Sequence, residues 1–242
     1  MKSLSVALLC FALAACSTPL DEPAIELPDC NKLRATGNFD LIILTDDTNT
    51  LRLSGDNPAQ IEWRHDGTTL SLQKKGNRNV RAELSCMRLS DIELIGAVRA
   101  QHSADGFAQY EKIAVYGSSS FAAVALSADL LDLRTSGQGA LRIDQIVADK
   151  VQVLASGNSQ QYLAGETQQL LITLTGKAKL SAAELSAQRV ELDLLGQAVA
   201  EVFPTAHVSG TLGGDSVLGY ATNPVLEVAL DVEEQAIVNR RE

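Results

Sequence analysis

The strongest constraint on the fold is a glycine that returns about every twenty residues through the second half of the chain. The intervals between successive glycines are 21, 20, 20, 19 and 20 residues. A repeat of this length is too short for two helices and fits one coil of a β-solenoid, in which each coil buries its inward side chains only against its neighbours. These glycines are Gly96, Gly117, Gly137, Gly157, Gly176 and Gly196.

Apolar side chains occupy every second position of the segment before each glycine. Val151 and Val153 precede Gly157, for example, with the polar Gln152 between them. Alternation with period two indicates a strand that has one face towards the core and one towards solvent. By the same pattern we predict further core residues at Ile92, Leu94, Ile113, Val115, Leu131, Leu133, Leu170, Ile172, Leu174, Val190, Leu192 and Leu194.

A second apolar register follows the glycines, and one coil departs from it. Residues 126–128, 146–148 and 185–187 lie at the same distance beyond their glycines and share an apolar, variable, alanine pattern. The coil that begins at Gly157 has Glu166 at this distance instead. Residues 180–190 could be helical by composition, but they lie in register with the repeat, and we therefore predict strand and turn there.

The section before the repeat is also rich in strand signals. Short alternating segments at 39–44, 50–53, 60–63 and 69–72 are separated by Asp-Asp, Gly-Asp-Asn-Pro and His-Asp-Gly turns. Such segments bounded by turn residues are typical of β-strands. We therefore predict an all-β protein, a parallel β-helix or β-solenoid with coils of about 20 residues, preceded by a short strand-rich N-terminal section.

The first sixteen residues have the pattern of an export signal. Lys2 supplies a positive start, residues 4–12 are apolar, and Leu13-Ala14-Ala15-Cys16 follows. The apolar run is too short for a permanent membrane-spanning helix and fits a cleaved signal peptide. The sequence LAAC resembles the lipobox of bacterial lipoproteins, which implies acylation of Cys16, for example with palmitate, and cleavage before it. The alternative is an ordinary secretory signal with a chance cysteine.

These features divide the chain into three parts. We predict a lipoprotein signal peptide at 1–15, a lipid-anchored tether at 16–32 and a β-solenoid domain at 33–240. The tether contains Pro19, Pro23 and Pro28, which stiffen a linker towards polyproline geometry. In enterobacterial lipoproteins an aspartate after the cysteine resembles an inner-membrane retention signal. Because Ser17 stands there, we expect a cell-envelope protein at the outer membrane, on either of its sides.

The charge balance excludes nucleic acid as a partner. The chain carries 30 acidic and 20 basic residues, for a formal net charge of -10. Nucleic acids and anionic headgroups need clusters of Lys and Arg that release counterions. We find no such cluster in the sequence.

Two cysteines remain after the signal peptide and the lipidated residue are set aside. Cys30 and Cys86 lie in a chain that is expected to be exported to an oxidising compartment, where thiols commonly pair. The sequence favours a disulfide between them, and two unpaired buried thiols are the alternative.

Several segments resemble the GIN-domain family, which is labelled as the head domain of auto-transporter adhesins. They include Gly37-Asn38-Phe39-Asp40, residues 81–84 and 89–96, and the Ser-Gly-x motifs at 135–139 and 155–158. The ending at 213–220, with its glycines and Tyr220, resembles the family's closing turn. The resemblance covers residues 33–238 and implies a right-handed β-helix-like stack without an assigned chemistry.

The sequence predicts no catalytic, metal or cofactor site. His65, His102 and His207 are scattered without metal-binding spacing, and we interpret them as surface or turn residues. A glycosidase would need paired carboxylates, for which Asp129, Asp132, Asp144 and Asp149 are the candidates if they stack on neighbouring coils. The chain is poor in the aromatic residues that usually line sugar-cleaving grooves.

Three hypotheses about the function follow from these observations. The leading one is a non-enzymatic envelope lipoprotein that binds a protein or glycan partner through a long flank, with Tyr116 and Tyr162 as the candidate contact surface. The alternative is a carbohydrate-active β-helix enzyme. A third reading is a scaffold that self-associates through an uncapped final coil around residues 225–229.

Overall fold

The structure is a computed structural model that describes residues 23–76, 79–103, 106–221, 226–233 and 235–241. Most of these residues lie in β-strands, and the one helical element among them is a 3-10 turn at Pro58–Gln60. The strands are β1 (Ile25–Glu26), β2 (Lys32–Gly37), β3 (Asp40–Leu44), β4 (Thr50–Gly55), β5 (Ile61–Asp66), β6 (Thr69–Lys74), β7 (Val80–Ser85), β8 (Asp91–Gly96), β9 (Arg99–Ser103), β10 (Ala108–Gln109), β11 (Lys112–Gly117), β12 (Ser120–Thr135), β13 (Ala140–Ala155), β14 (Gln160–Gly176), β15 (Lys179–Gly196), β16 (Val199–Leu212), β17 (Val217–Ala221), β18 (Glu227–Val232) and β19 (Ile237–Arg241).

Each coil of the repeat bends at three corners. In β13 the alternation of buried and exposed residues is interrupted twice, where two neighbouring residues are both outside the core. The first pair is Asp144 and Gln145, and the second is Asp149 and Lys150. The third corner follows Ala155, at Gly157. The coil therefore has three faces: the first ends at the corner glycine, the second follows it, and the third is the short segment between the other two corners.

Strands stack in parallel along these faces and form a β-solenoid, as the sequence predicts. β12, β13, β14, β15 and β16 pair in that order. Beyond β16 the first face continues with β18, and the second face with β17 and then β19. Neighbouring strands lie about 4.8 Å apart, so coil backbones are in direct contact.

The corner glycines stack in a column that allows this contact. Gly117 has a φ of 75°, which residues with a Cβ rarely adopt. A Cβ added to Gly117 would also lie 2.7 Å from the Gly96 carbonyl oxygen. The same arrangement recurs at Gly137, where the Gly117 oxygen lies 3.0 Å from an added Cβ. The column extends to Gly37 and Gly214, beyond the six glycines of the sequence repeat.

The predicted core residues are confirmed. All the side chains at alternate positions before the corner glycines are buried, and they belong to one hydrophobic cluster that runs through the solenoid. Phe121 is also buried, at 1% exposure. The sequence predicts strand and turn for the segment 180–190, and the structure has strand throughout because the segment lies within β15.

The irregular coil after Gly157 is one residue shorter, and a glycine absorbs the difference. Gly165 stands opposite Ile146 on one side and Leu185 on the other. The register shifts between Ile143 and Ile146, and a Cβ on Gly165 would lie 2.2 Å from the Ile146 carbonyl oxygen. A bulge at this corner therefore keeps the following strands in phase.

The N-terminal section belongs to the same stack, but its coils do not follow chain order. The coil formed by β2 and β3 lies between the later coil of β6 and β7 and the coil of β8 and β9. Beyond β6 and β7, β5 and β4 pair antiparallel and close this end of the solenoid. β1 then pairs antiparallel with β4.

A crossing connection links the two coils that flank β2 and β3. The chain leaves β7 at Ser85 and passes over the start of β2 before it enters β8. Ser90 and Asp91 donate their backbone N–H groups to the carbonyl of Asn31, at 2.9 and 3.1 Å. Cys30 and Cys86 are joined by a disulfide at this crossing, with Cα atoms 6.0 Å apart.

The folded part includes residues that the sequence analysis assigned to the tether. Leu27 and Cys30 are buried, and Leu27 donates its backbone N–H to Asn49. β1 lies at Ile25–Glu26. The chain therefore enters the fold before residue 33, because the antiparallel cap needs these residues as its outermost strand.

Substitution of a corner glycine should cost more than substitution of a glycine in open space. Gly117→Ala is expected to lower the free energy of unfolding by about 3 kcal/mol, because the φ penalty and a clash with the next coil add. Gly67→Ala is the matched control, since its φ is 60° and no atom lies within 4 Å; it should cost about 1 kcal/mol. Denaturant titration measures both, and equal losses would contradict the contact argument.

The disulfide should carry a large share of the stability of the N-terminal end. Replacing both Cys30 and Cys86 with serine is expected to lower the free energy of unfolding by about 4 kcal/mol, because a loop of 56 residues is released in the unfolded chain. Reductant should cause a similar loss in the parent chain and none in the variant. Unlinked Cys30 and Cys86 peptides in non-reducing mass spectrometry would refute the pairing.

Candidate functional site

The third face of the solenoid is interrupted near the N-terminal end. Its first strand segment is β10, which pairs with residues 126–127 of β12. β10 follows β9 along the chain, whereas β3 leads to β4 of the antiparallel cap, so the described part of the chain places no third-face strand after β3. A groove of about 1330 Å³ lies where the third face begins.

The inner wall of this groove is buried and apolar. Ile43, Leu89, Ala108 and Tyr110 line it, and each is less than a tenth exposed. The crossing connection at 86–90 forms part of the rim, so the disulfide also holds one edge of the groove in place.

The groove exposes large apolar side chains. Met87 is 50% exposed, Phe107 45%, Leu130 46% and Val147 39%. These four residues come from the crossing connection, the segment before β10, a corner of β12 and the third face of β13. An exposed apolar patch with a polar rim is typical of a binding surface.

Carboxylates surround the apolar patch. Among the residues that the structure describes, the groove is lined by six acidic side chains and by two basic ones, Arg88 and Lys112. Of the acidic residues, Asp91 pairs with Lys32 at 3.2 Å and Asp132 with Arg134 at 2.8 Å. Within the described ranges the other four make no ion pair with a protein cation, and all are exposed: Glu111, Asp129, Asp149 and Glu166.

A buried histidine lies directly behind the groove wall, and this corrects the surface assignment of His102. The ring is 2% exposed and its Nε2 lies 2.8 Å from the Thr45 hydroxyl oxygen. Tyr110 packs edge-on against it with ring centroids 5.5 Å apart, and Phe121 packs in turn against Tyr110. Burial lowers the pKa of His102, which keeps it neutral and favours a structural role in the wall.

The two tyrosines that the sequence analysis proposed as a contact surface lie on different faces. Tyr116 is on the first face, opposite Ile95, and Tyr162 is on the second face, opposite Arg142. Both are half-buried. The Arg142 guanidinium stacks 4.3 Å from the Tyr162 ring centroid, and a hydrogen bond to Glu184 raises the pKa of the Tyr162 phenol. The tyrosines therefore do not form one surface.

The four acidic residues considered for glycoside hydrolysis do not stack together either. Asp129 and Asp149 occupy equivalent corners of neighbouring coils, and Gln168 donates to Asp149 at 2.7 Å. Asp132 lies on the first face with Arg134, while Asp144 pairs with Arg142 at another corner. Asp129, Asp132 and Asp149 thus line the groove, while Asp132 and Asp144 are held in ion pairs.

The final coil is open at the C-terminal end of the solenoid. Val228, Val232 and Ile237 are between 39% and 52% exposed, and in the described residues no strand pairs with the outer edges of β18 and β19. Arg240 stands opposite Tyr220, whose side chain is buried, and so occupies an inward position. Inward charges on edge strands oppose edge-to-edge association.

Other sequence-based expectations fall outside what the structure can place. Cys16 and the signal segment precede residue 23, where the description begins, and Val225 lies in a gap. No helix in the described ranges is long and apolar enough to span a membrane. Across those ranges, no three His, Cys, Asp or Glu side chains cluster in a way that could hold a metal ion.

Comparison with known families agrees with the resemblance seen in the sequence. A family model described as "Putative auto-transporter adhesin, head GIN domain" matches residues 29–224. The match ends before β18 and β19, which nevertheless stack on the preceding coil. No curated protein matches the chain.

Solved structures share the fold at low sequence identity. A "putative adhesin" from Parabacteroides distasonis has a TM-score of 0.83 at 16% identity, over 90% of this chain and 95% of that one. A "putative adhesin" from Parabacteroides merdae has a TM-score of 0.81 at 15% identity, over 91% and 95%. A "Putative lipid binding protein" from Parabacteroides distasonis has a TM-score of 0.80 at 14% identity, over 91% and 96%.

Proposed function

Because the chain belongs to the GIN-domain family of adhesin head domains, we propose that it is a lipid-anchored, non-enzymatic binding module of the bacterial cell envelope. The observation that carries this proposal is the groove at the interrupted third face, where exposed apolar side chains meet an acidic rim. The groove supplies the contact surface, and the rest of the solenoid holds it rigid.

The apolar patch supports binding rather than catalysis. Met87 and Phe107 are exposed on the crossing connection and on the segment before β10. Large apolar side chains exposed together are unfavourable in water unless a binding partner covers them. Of the four carboxylates considered for glycoside hydrolysis, Asp129 and Asp149 hold equivalent positions on neighbouring coils, and Gln168 already donates to Asp149. Non-enzymatic binding is therefore the simpler use of these residues.

The adhesin-like family favours a location in the cell envelope or at the cell surface. The LAAC sequence at residues 13–16 supports the finer proposal of acylation at Cys16, and Ser17 supports the outer membrane. The described fold starts close to this point, with β1 at Ile25–Glu26. Only a short tether would then separate the lipid from the solenoid.

The open C-terminal coil supports the scaffolding alternative less well. Pairing of two such ends would bury Arg240 of each copy. The inward positions of β18 offer no carboxylate to neutralise this charge, because they are Val228, Leu230 and Val232. Binding through the groove needs no such burial. We therefore place the partner surface at the groove and not at the end.

Anchoring should depend on one cysteine. Cys16→Ala is expected to abolish incorporation of labelled palmitate and to release the protein from the membrane fraction, because acyl chains supply the membrane affinity. Cys30→Ser, which also removes a thiol, should leave labelling unchanged. Labelled palmitate on the Cys16→Ala protein would contradict the lipoprotein proposal.

Contact with a partner should map to the groove in living cells. A photoreactive amino acid at position 107 is expected to capture one reproducible envelope partner, because Phe107 lies at the mouth of the groove. The control is the same probe at position 124, since Val124 is 58% exposed and lies outside the groove. Adducts are identified by mass spectrometry after irradiation. Equal adducts at both positions, or none at 107, would overturn the proposed binding surface.

A further inference from the structure

The groove also indicates what kind of partner it would take. Resting on the proposed function, we propose that the groove binds an extended peptide segment of a partner protein in which Lys or Arg alternates with aliphatic or aromatic residues.

The floor of the groove is a ladder across four coils. The outward residues of the third face are Ser127, Val147, Glu166 and Ser186, which pair in register from coil to coil. Four strands spaced by about 4.8 Å span roughly 15 Å, which is the length of about five extended residues. A short extended segment that runs along the solenoid axis therefore matches the floor.

A second ladder runs beside the first at the neighbouring corner. It consists of Asp129, Asp149, Gln168 and Gln188, all of which line the groove. The two carboxylates lie at the end where Phe107 and Met87 are exposed. Anionic and apolar groups therefore stand side by side, and an extended chain offers its side chains to two sides in alternation.

The charge of the groove favours a basic peptide over an anionic lipid as its ligand. Four exposed carboxylates have no cationic partner among the described residues, and only Arg88 and Lys112 offset them in the lining. Anionic headgroups would be repelled, whereas Lys or Arg side chains would be attracted over the range of a Debye length. A basic peptide is therefore favoured over an anionic membrane surface.

The central strands of the floor, in β13 and β14, leave no backbone edge for strand addition; among the described residues the free edge at this end of the third face is that of β10, which pairs with β12 alone. The third-face segments of β13 and β14 are each paired on both sides by neighbouring coils. A bound segment cannot join the sheet there as an additional strand. Recognition would rest on side chains, and it should depend on both the charge and the apolar character of the peptide.

The test measures binding of a fluorescent ten-residue peptide of alternating Lys and Leu to the full chain carrying Cys16→Ala, by fluorescence anisotropy. Asp129→Asn with Asp149→Asn should weaken binding about tenfold, and so should Phe107→Ser. The matched control replaces two exposed carboxylates outside the groove, Glu191→Gln with Asp215→Asn, and should change affinity less than about twofold. Circular dichroism checks that each variant folds.

Peptide controls separate this proposal from simple ion exchange. A Glu/Leu peptide should not bind, and a Lys/Ser peptide should bind about tenfold more weakly than the Lys/Leu peptide. Equal binding of the Lys/Ser peptide, binding of phosphatidylglycerol vesicles in place of the peptide, or no binding at all would overturn the proposal. A partner still captured at position 107 would then show that the binding module stands and only the ligand class is wrong.

Discussion

The structure depends on the close contact between the backbones of successive coils at the glycine corners. At Gly117 the next coil is so near that an added Cβ would lie 2.7 Å from a carbonyl oxygen, and the positive φ there completes the turn. The column from Gly37 to Gly214 keeps the coils in one register. Because the strands next to the glycine corners keep the same register from coil to coil, each alternating strand sends its apolar side chains to the same central core.

The groove results from an interruption of this regularity. Regular coils present continuous faces, and this groove lies where a third-face strand is left out. The described chain has no third-face strand after β3, and the crossing connection at this end is fixed by the disulfide of Cys30 and Cys86. The most irregular part of the chain thus forms the most distinctive surface.

The sequence predicted the regular part of the fold well because the repeat is local. The strands, the inward residues and the corner glycines from Gly96 to Gly196 all follow from alternation and spacing. The nested order of the N-terminal coils could not be predicted, since it depends on pairing between strands far apart in the chain, such as β2 with β6 and β8. The family resemblance covered this region without indicating its order.

The candidate site was missed for a related reason. Phe107, Met87 and Asp149 lie far apart in sequence, and nothing in their local pattern shows that they meet at a missing strand. The alternation of apolar and polar residues predicts that Tyr116 and Tyr162 point outward, but it does not show on which face of the solenoid each one lies. His102 looked like a surface residue because a strand position alone does not show that Tyr110 and Thr45 enclose it.

Hydrogen–deuterium exchange, measured on the protein with and without the bound Lys/Leu peptide, shows whether the groove is the binding surface. Binding in the groove should add protection at 86–90 and 107–112 and leave exchange unchanged on the second face at 140–143 and 160–163. Protection on the second face or at the C-terminal coil, with none at the groove, would contradict it.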